Sequence, residues 1–266
     1  MPQLPRALSQ RFDLVRTLAG RELRARYRGS LLGILWTVLT PGAMIAIYTF
    51  IFAGMFGARF GTEGNATGWS YAIYVFCGLL PWAMFAETLQ TSATTIIAHV
   101  NLVKRVVFPL ETLPVSHVLA AFVNQLCGTL VLLLLAFASR GRLHPTLLWL
   151  PVLWTLQLLF VCGLSWFVAA LGVYVRDTAQ GIGLILTAWL FLTPIIYPLT
   201  AVPEAYRKYI ALNPWTPVVE AHRRVILDGV APDFTGLLYF ALIATAAFVI
   251  GYFWFTRTRS GFADVI

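Results

Sequence analysis

The chain has 266 residues, 59% of them hydrophobic and only 11% charged, with a mean hydropathy of +0.78. That balance excludes a soluble globular domain and points to an integral membrane protein. The formal charge of +8 does not indicate nucleic acid, because the basic residues sit at the ends of apolar runs and do not gather on one solvated face.

On a helix of 100° per residue, Leu8, Phe12, Val15, Ala19 and Leu23 fall on one face and Asp13, Thr17, Arg21, Arg24 and Arg28 on the other. Residues 1–28 are therefore expected to form an amphipathic helix on the inner membrane surface, with Arg11 and Arg16 flanking the apolar face. Arg26 falls on the apolar side of this helix. Arginine at the centre of a span costs roughly 2.5–3.5 kcal/mol, so the Arg run stays outside the hydrocarbon. It passes directly into a charge-free stretch, Gly29 to Ala58, in which Pro41 followed by Gly42 marks the expected kink.

Further charge-free gaps predict spans at 64–86, 112–139, 143–175, 178–203 and 234–256. Each gap reaches the ~20 residues a crossing helix needs. The sequence thus predicts an all-α polytopic membrane protein: six transmembrane helices, one permease domain over 1–266, and a cytoplasmic tail over 257–266. Both termini are expected inside, a bias supported by twelve inner basic residues against seven outer ones. Asp177, in a tight inner turn, is expected to cap the fifth span. An inner loop from Thr91 to Pro109 carries Lys104 and Arg105. The segment from Ala201 to Asp233 is the longest outer connection and is too apolar for a solvated loop. Val202-Pro203-Glu204 predicts a helix start and Asn213-Pro214 a break, giving two short re-entrant helices between spans five and six. Arg207, Lys208, Arg223 and Arg224 are expected to face headgroups or an emerging substrate there, with Glu204 and Glu220 at the outer mouth.

Catalytic chemistry finds little support. Gly163-Leu-Ser165-Trp166 lacks the second glycine of an intramembrane serine nucleophile. Neither lysine, Lys104 nor Lys208, lies in a phosphate-binding loop. Glu87 is the one acidic candidate for ion coupling, and it reads as a structural or interfacial carboxylate near the inner end of the second span. His117 reads as packed or at headgroup level. Asn124 and Gln125 in the third span are expected to hydrogen-bond to neighbouring helices. Cys77, Cys127 and Cys162 are odd in number and widely spaced, so they imply neither a disulfide framework nor a metal site. The first apolar run is too long for a signal peptide and is expected to be an uncleaved anchor.

Several motifs occur together in collinear order. They are Arg26-Tyr-Arg-Gly-Ser-Leu-Leu-Gly-Ile-Leu-Trp-Thr37, Leu80-Pro81-Trp82 with Phe85, Asn101 to Pro109, and Arg176-Asp177. Thr193-Pro194-Ile-Ile-Tyr197-Pro198, Val202-Pro203-Glu204, Leu212-Asn213-Pro214 and the terminal Phe262-Ala-Asp264-Val265-Ile266 complete the set. Across nearly its whole length the chain resembles the permease subunits of polysaccharide-exporting ABC transporters.

That resemblance implies a homodimer in the bacterial inner membrane, working with a separate ATP-binding subunit that holds ATP and Mg, so that this chain carries no cofactor. It implies export of a lipid-linked polysaccharide of O-antigen, capsule or teichoic-acid type. It places Arg21, Arg24, Asn101, Lys104 and Arg105 at the ATPase interface, and Arg26 and Arg28 against the carrier or membrane headgroups. It places Trp36, Tyr48, Phe52, Trp82, Phe85 and Trp189 along the channel, and Tyr206, Tyr209, Trp215 and Glu220 at an outer gate. A related exporter of drugs or other lipids, and a membrane scaffold without a pathway, are the alternatives.

Overall fold

A chain in hydrocarbon must satisfy its backbone N–H and C=O groups internally, and a helix does so within a single segment. The computed structural model describes residues 3–26, 28–51, 68–104 and 108–266, and regular structure among them is helical throughout. In chain order the helices are α1 (Gln3–Arg26), α2 (Trp36–Tyr48), α3 (Gly68–Ala98), α4 (Val100–Val103), α5 (Thr112–Arg140) and α6 (Leu150–Tyr174). They continue with α7 (Thr178–Leu192), α8 (Glu204–Ala211), α9 (Thr216–Arg223), α10 (Phe234–Thr258) and α11 (Phe262–Val265). Four stretches, Tyr71–Ala98, Thr112–Ser139, Pro145–Tyr174 and Phe234–Val265, are long and apolar enough to cross a membrane. Trp36–Ile51 and Thr178–Leu192 are apolar but shorter. This is the make-up of a polytopic membrane protein.

Among the described residues, the charge-free gaps locate some helix ends closely and miss others. Gly29 and Gly33 adopt φ of 84° and 50°, a left-handed conformation that interrupts the backbone, so the first apolar helix starts at Trp36 and then runs through Pro41. Glu87 does not end the helix, which continues through it to Ala98. The helix of the fifth predicted span stops at Leu192. Pro194 disfavours helical backbone at the residue before it, and Thr193 is extended, with φ −103° and ψ 135°. The 15 residues of α7 reach only ~22 Å, short of the ~30 Å hydrocarbon core. The expected Asp177 cap is not made, since its side chain accepts no bond from the start of α7. Asp233 does cap α10, accepting a 2.8 Å bond from the Gly236 N–H.

Without a hydrophobic drive between helices in lipid, close backbone approach supplies much of the packing. At Gly163 of α6, a Cβ would lie 2.3 Å from the Ala247 carbonyl of α10, and at Gly251 of α10 one would lie 2.0 Å from the Gly163 carbonyl. At Gly172 one would meet the Ala93 carbonyl of α3 at 1.9 Å. These glycines let α6 sit as the central helix, between α10 and α3. Gln125 of α5 and Gln157 of α6 exchange two hydrogen bonds, of 3.1 and 2.8 Å, and the Gln157 amide also donates to the Pro81 carbonyl of α3. Both glutamines are buried. The expected interhelical role is thus filled by Gln125, while the Asn124 Oδ1 has no protein partner among the described residues.

The two ends of the bundle differ. At one end α1 packs along α5, with Ala19 buried and Glu22 Oε2 3.7 Å from His117 Nδ1. The C-terminal turn folds back there: Phe262 is buried against Phe255 and Tyr174, and Arg259 bonds Glu111 at 3.2 Å. At the opposite end α9 packs against α3, α6 and α10, with α8 beside it.

Candidate functional site

The segment between α7 and α10 is fixed by two polar hubs. The Asn213 Oδ1 accepts from the Trp189 indole at 2.8 Å and from the Trp215 N–H at 3.0 Å. Its amide donates to the Leu192 carbonyl and to Thr193 Oγ1. One asparagine therefore satisfies the open end of α7 while forming the turn between α8 and α9. The second hub is Arg223, whose Nη1 donates to the Pro194 carbonyl at 2.7 Å and whose Nη2 donates to the Ile195 carbonyl at 2.6 Å. Its Nε donates to the Tyr74 carbonyl, and its plane lies 3.6 Å from the centroid of the Tyr74 ring. Glu220 Oε1 completes the shell at 2.9 Å.

With its side chain 3% exposed, Arg223 is not available to headgroups or substrate. Burying a guanidinium is tolerable only where its donors are met, and the carbonyls freed by the break at Pro194 meet them. Arg207 is likewise engaged, folding back on the carbonyls of Val202 and Thr200. Of the outer-gate candidates, Tyr206 and Tyr209 are exposed and Glu220 is half-buried beside Arg223. Trp215 is fully buried. It stacks on Phe85 with centroids 4.4 Å apart and meets Trp82 edge-on at 5.9 Å.

That aromatic cluster absorbs several channel candidates. Trp82 and Phe85 are 4% and 0% exposed, and Trp189 packs edge-on against both. In this conformation neither Trp82 nor Phe85 offers a ring to a passing solute. Both were placed by their depth along the span, which says nothing about the face they occupy. Because Phe85 lies near the middle of α3, the start of α9 reaches about halfway down the bundle. Tyr48 is half-buried against Phe76. Phe52 and Arg105 lie outside the described residues.

Trp36 differs from these: it is 42% exposed and borders a cavity of about 430 Å³ between α2, α3 and α5, at the α1 end of the bundle. Arg26, Glu87, Thr37, Asn124 and Gln125 line this cavity together with apolar side chains from α2 and α3. Arg26, on the odd face of α1, forms an ion pair with Glu87, so the carboxylate carried by α3 meets its counter-charge from a distant helix. Arg21, Arg24, Arg28, Asn101 and Lys104 are exposed around the same end.

The chain matches the family described as ABC-2 type transporter over residues 13–227. It belongs to that family. This ABC-2 permease is 30% identical to an O-antigen export system permease protein, RfbA, of Myxococcus xanthus over the whole of both chains. It is 27% identical to the RfbA of Klebsiella pneumoniae over 96% of this chain and 95% of that one. It is 26% identical to the polysialic acid transport protein KpsM of Escherichia coli, covering 89% and 90% of the two chains.

For this ABC-2 permease, the sequence reading missed the buried Arg223 and the Arg26–Glu87 pair. A signal existed for the first. Arg223 stands three residues after Glu220, in a stretch where Val218, Val219, Ala221, Val225 and Ile226 are apolar and buried. A cation inside such a run needs local partners.

Proposed function

We propose that the chain is the membrane permease subunit of a polysaccharide exporter. Two copies form the export channel in the bacterial inner membrane, and a separate ATP-binding subunit supplies hydrolysis. The observation that carries this reading is the end-to-end similarity to an O-antigen export permease, which leaves no region of the chain without a counterpart. In this reading α3, α5, α6 and α10 each cross the membrane as one helix, the shorter α2 and α7 are the helical parts of two further crossings, and α1 and α11 lie on the cytoplasmic side. The chain 1–266 is one permease domain, and its substrate is a lipid-linked polysaccharide.

The depth of Trp215, in contact with the middle of α3, supports α9 as a re-entrant element. The exposed Tyr206 and Tyr209 of α8 then stand at the outer mouth, where flat aromatic faces suit sugar rings. Arg21, Arg24, Asn101 and Lys104 offer a basic surface for the ATP-binding subunit.

Co-expression with the ATP-binding subunit of the same system tests the arrangement. The two chains co-purify, and ATP hydrolysis by the partner changes when this chain is present. Replacing Lys104 and Arg105 with Glu leaves the permease inserted but weakens the complex. A permease that never associates with an ATPase is a scaffold, and the exporter reading falls.

A further inference from the structure

The cavity beside α2 has the length and polarity to hold the headgroup region and part of one acyl chain of a membrane lipid. It follows α3 from Glu87 to Phe76, eleven residues or about 16 Å of helix, which matches one leaflet of a hydrocarbon core ~30 Å thick. Its volume, about 430 Å³, falls within the roughly 300–1,000 Å³ of small-molecule sites. Charge is confined to one end, where Arg26 and Glu87 stand side by side. Above them the wall includes Pro41, Met44, Phe76 and Leu80.

Two polar atoms at this cavity have no protein partner among the described residues: Thr37 Oγ1, on a residue 6% exposed, and Asn124 Oδ1. Both residues line the cavity, and buried polar atoms of this kind are normally met by a ligand or water. Thr37 can donate to an ester or glycerol oxygen just below the acyl chains.

We propose that this cavity binds a zwitterionic aminophospholipid of phosphatidylethanolamine type, its phosphate on Arg26, its ammonium on Glu87 and an acyl chain along the α2–α3 wall. Adjacent opposite charges in the protein complement the adjacent opposite charges of that headgroup. A purely anionic headgroup would satisfy Arg26 and be repelled by Glu87 at the same distance. The site rests on the reading that α1 lies at a membrane surface.

The test is native mass spectrometry of the full-length permease, extracted from membranes containing both phosphatidylethanolamine and phosphatidylglycerol. Wild type retains one phosphatidylethanolamine per chain through delipidating washes and little phosphatidylglycerol. Glu87→Gln shifts the preference toward phosphatidylglycerol by about tenfold, equivalent to ~1.4 kcal/mol, and Arg26→Gln loses both lipids. Ala83→Phe, which fills the exposed wall of the cavity without altering its charges, also loses the retained lipid and serves where a charge variant folds poorly. Equal retention of the two phospholipids in wild type overturns the proposal, as does an unchanged preference in Glu87→Gln or retention of a diphosphate lipid instead. Export assays test the transport reading separately, and selective phosphatidylethanolamine retention supports the site whatever they show.

Discussion

The indole N–H of Trp189 donates a 2.8 Å hydrogen bond to the side-chain carbonyl of Asn213. That bond joins the last turn of α7 to the turn between α8 and α9, and the same side chain covers the open Leu192 carbonyl. The short fifth helix and the folded-back outer segment are therefore one structural unit.

Replacing Asn213 with Ala leaves the Trp189 indole and the Leu192 carbonyl to find new partners. Each orphaned group costs on the order of 1–3 kcal/mol when water cannot reach it. Asn213→Ala is expected to lower the thermal unfolding midpoint in detergent, and Asn213→Asp, which keeps the acceptor oxygen, to lower it less. Equal midpoints for all three proteins would mean that water replaces the side chain without cost.

Arg223 presents a larger effect, because its removal takes the donor from the carbonyls of Tyr74, Pro194 and Ile195 at once, and each orphaned group costs on the order of 1–3 kcal/mol. Arg223→Met is expected to reduce the yield of folded, monodisperse permease sharply. Adding Glu220→Gln to Arg223→Met should restore part of the yield, since the half-buried carboxylate is then no longer left without its cation. If the double variant is no better than the single one, the carbonyls of Pro194 and Ile195 matter more than the carboxylate.

The close crossing of α6 and α10 predicts a steric effect that needs no charge. Gly163→Val places carbon where the Ala247 backbone already stands, and backbone cannot yield as a flexible side chain would. The variant is expected to lose folded protein. Gly181→Ala in α7, where a Cβ meets nothing within 4 Å, is expected to fold normally. The comparison is read by size-exclusion profile after extraction.

The ends of α5 and α10 were legible in the sequence because charges bound them: Glu111 precedes Thr112 and Asp233 precedes Phe234. Pro203 and the Asn213-Pro214 pair correctly announced the start of α8 and the break before α9. Glu87 misled the reading because its neutralising partner, Arg26, comes from a distant helix, and charge counting along the chain cannot see such a pairing. Trp82, Phe85 and Trp215 could be placed by depth but not by face, since an apolar helix in a membrane lacks the hydrophobic stripe that tells core from surface in water. Arg223 was assigned to the surface on charge alone, where its engagement depends on the carbonyls that Pro194 exposes.

The orientation expected from the distribution of basic residues is checked by labelling. In a Cys-free background, single cysteines at Arg142 and Asp228 are expected to react with an impermeant reagent in intact cells. Cysteines at Asn101 and Ser260 are expected to react only after permeabilisation. Labelling of Asn101 from outside would reverse the α1 end of the bundle and with it the proposed ATPase surface.

The exporter reading is tested most directly by deleting this chain from its own cells and following newly made polysaccharide. Loss of the chain is expected to leave the lipid-linked polymer on the cytoplasmic side, protected from an external glycosidase. Re-expression of the wild type with an active ATP-binding subunit is expected to return it to the surface, and re-expression beside a hydrolysis-deficient partner to leave it inside. Normal arrival of the polymer at the surface without this chain would contradict the account.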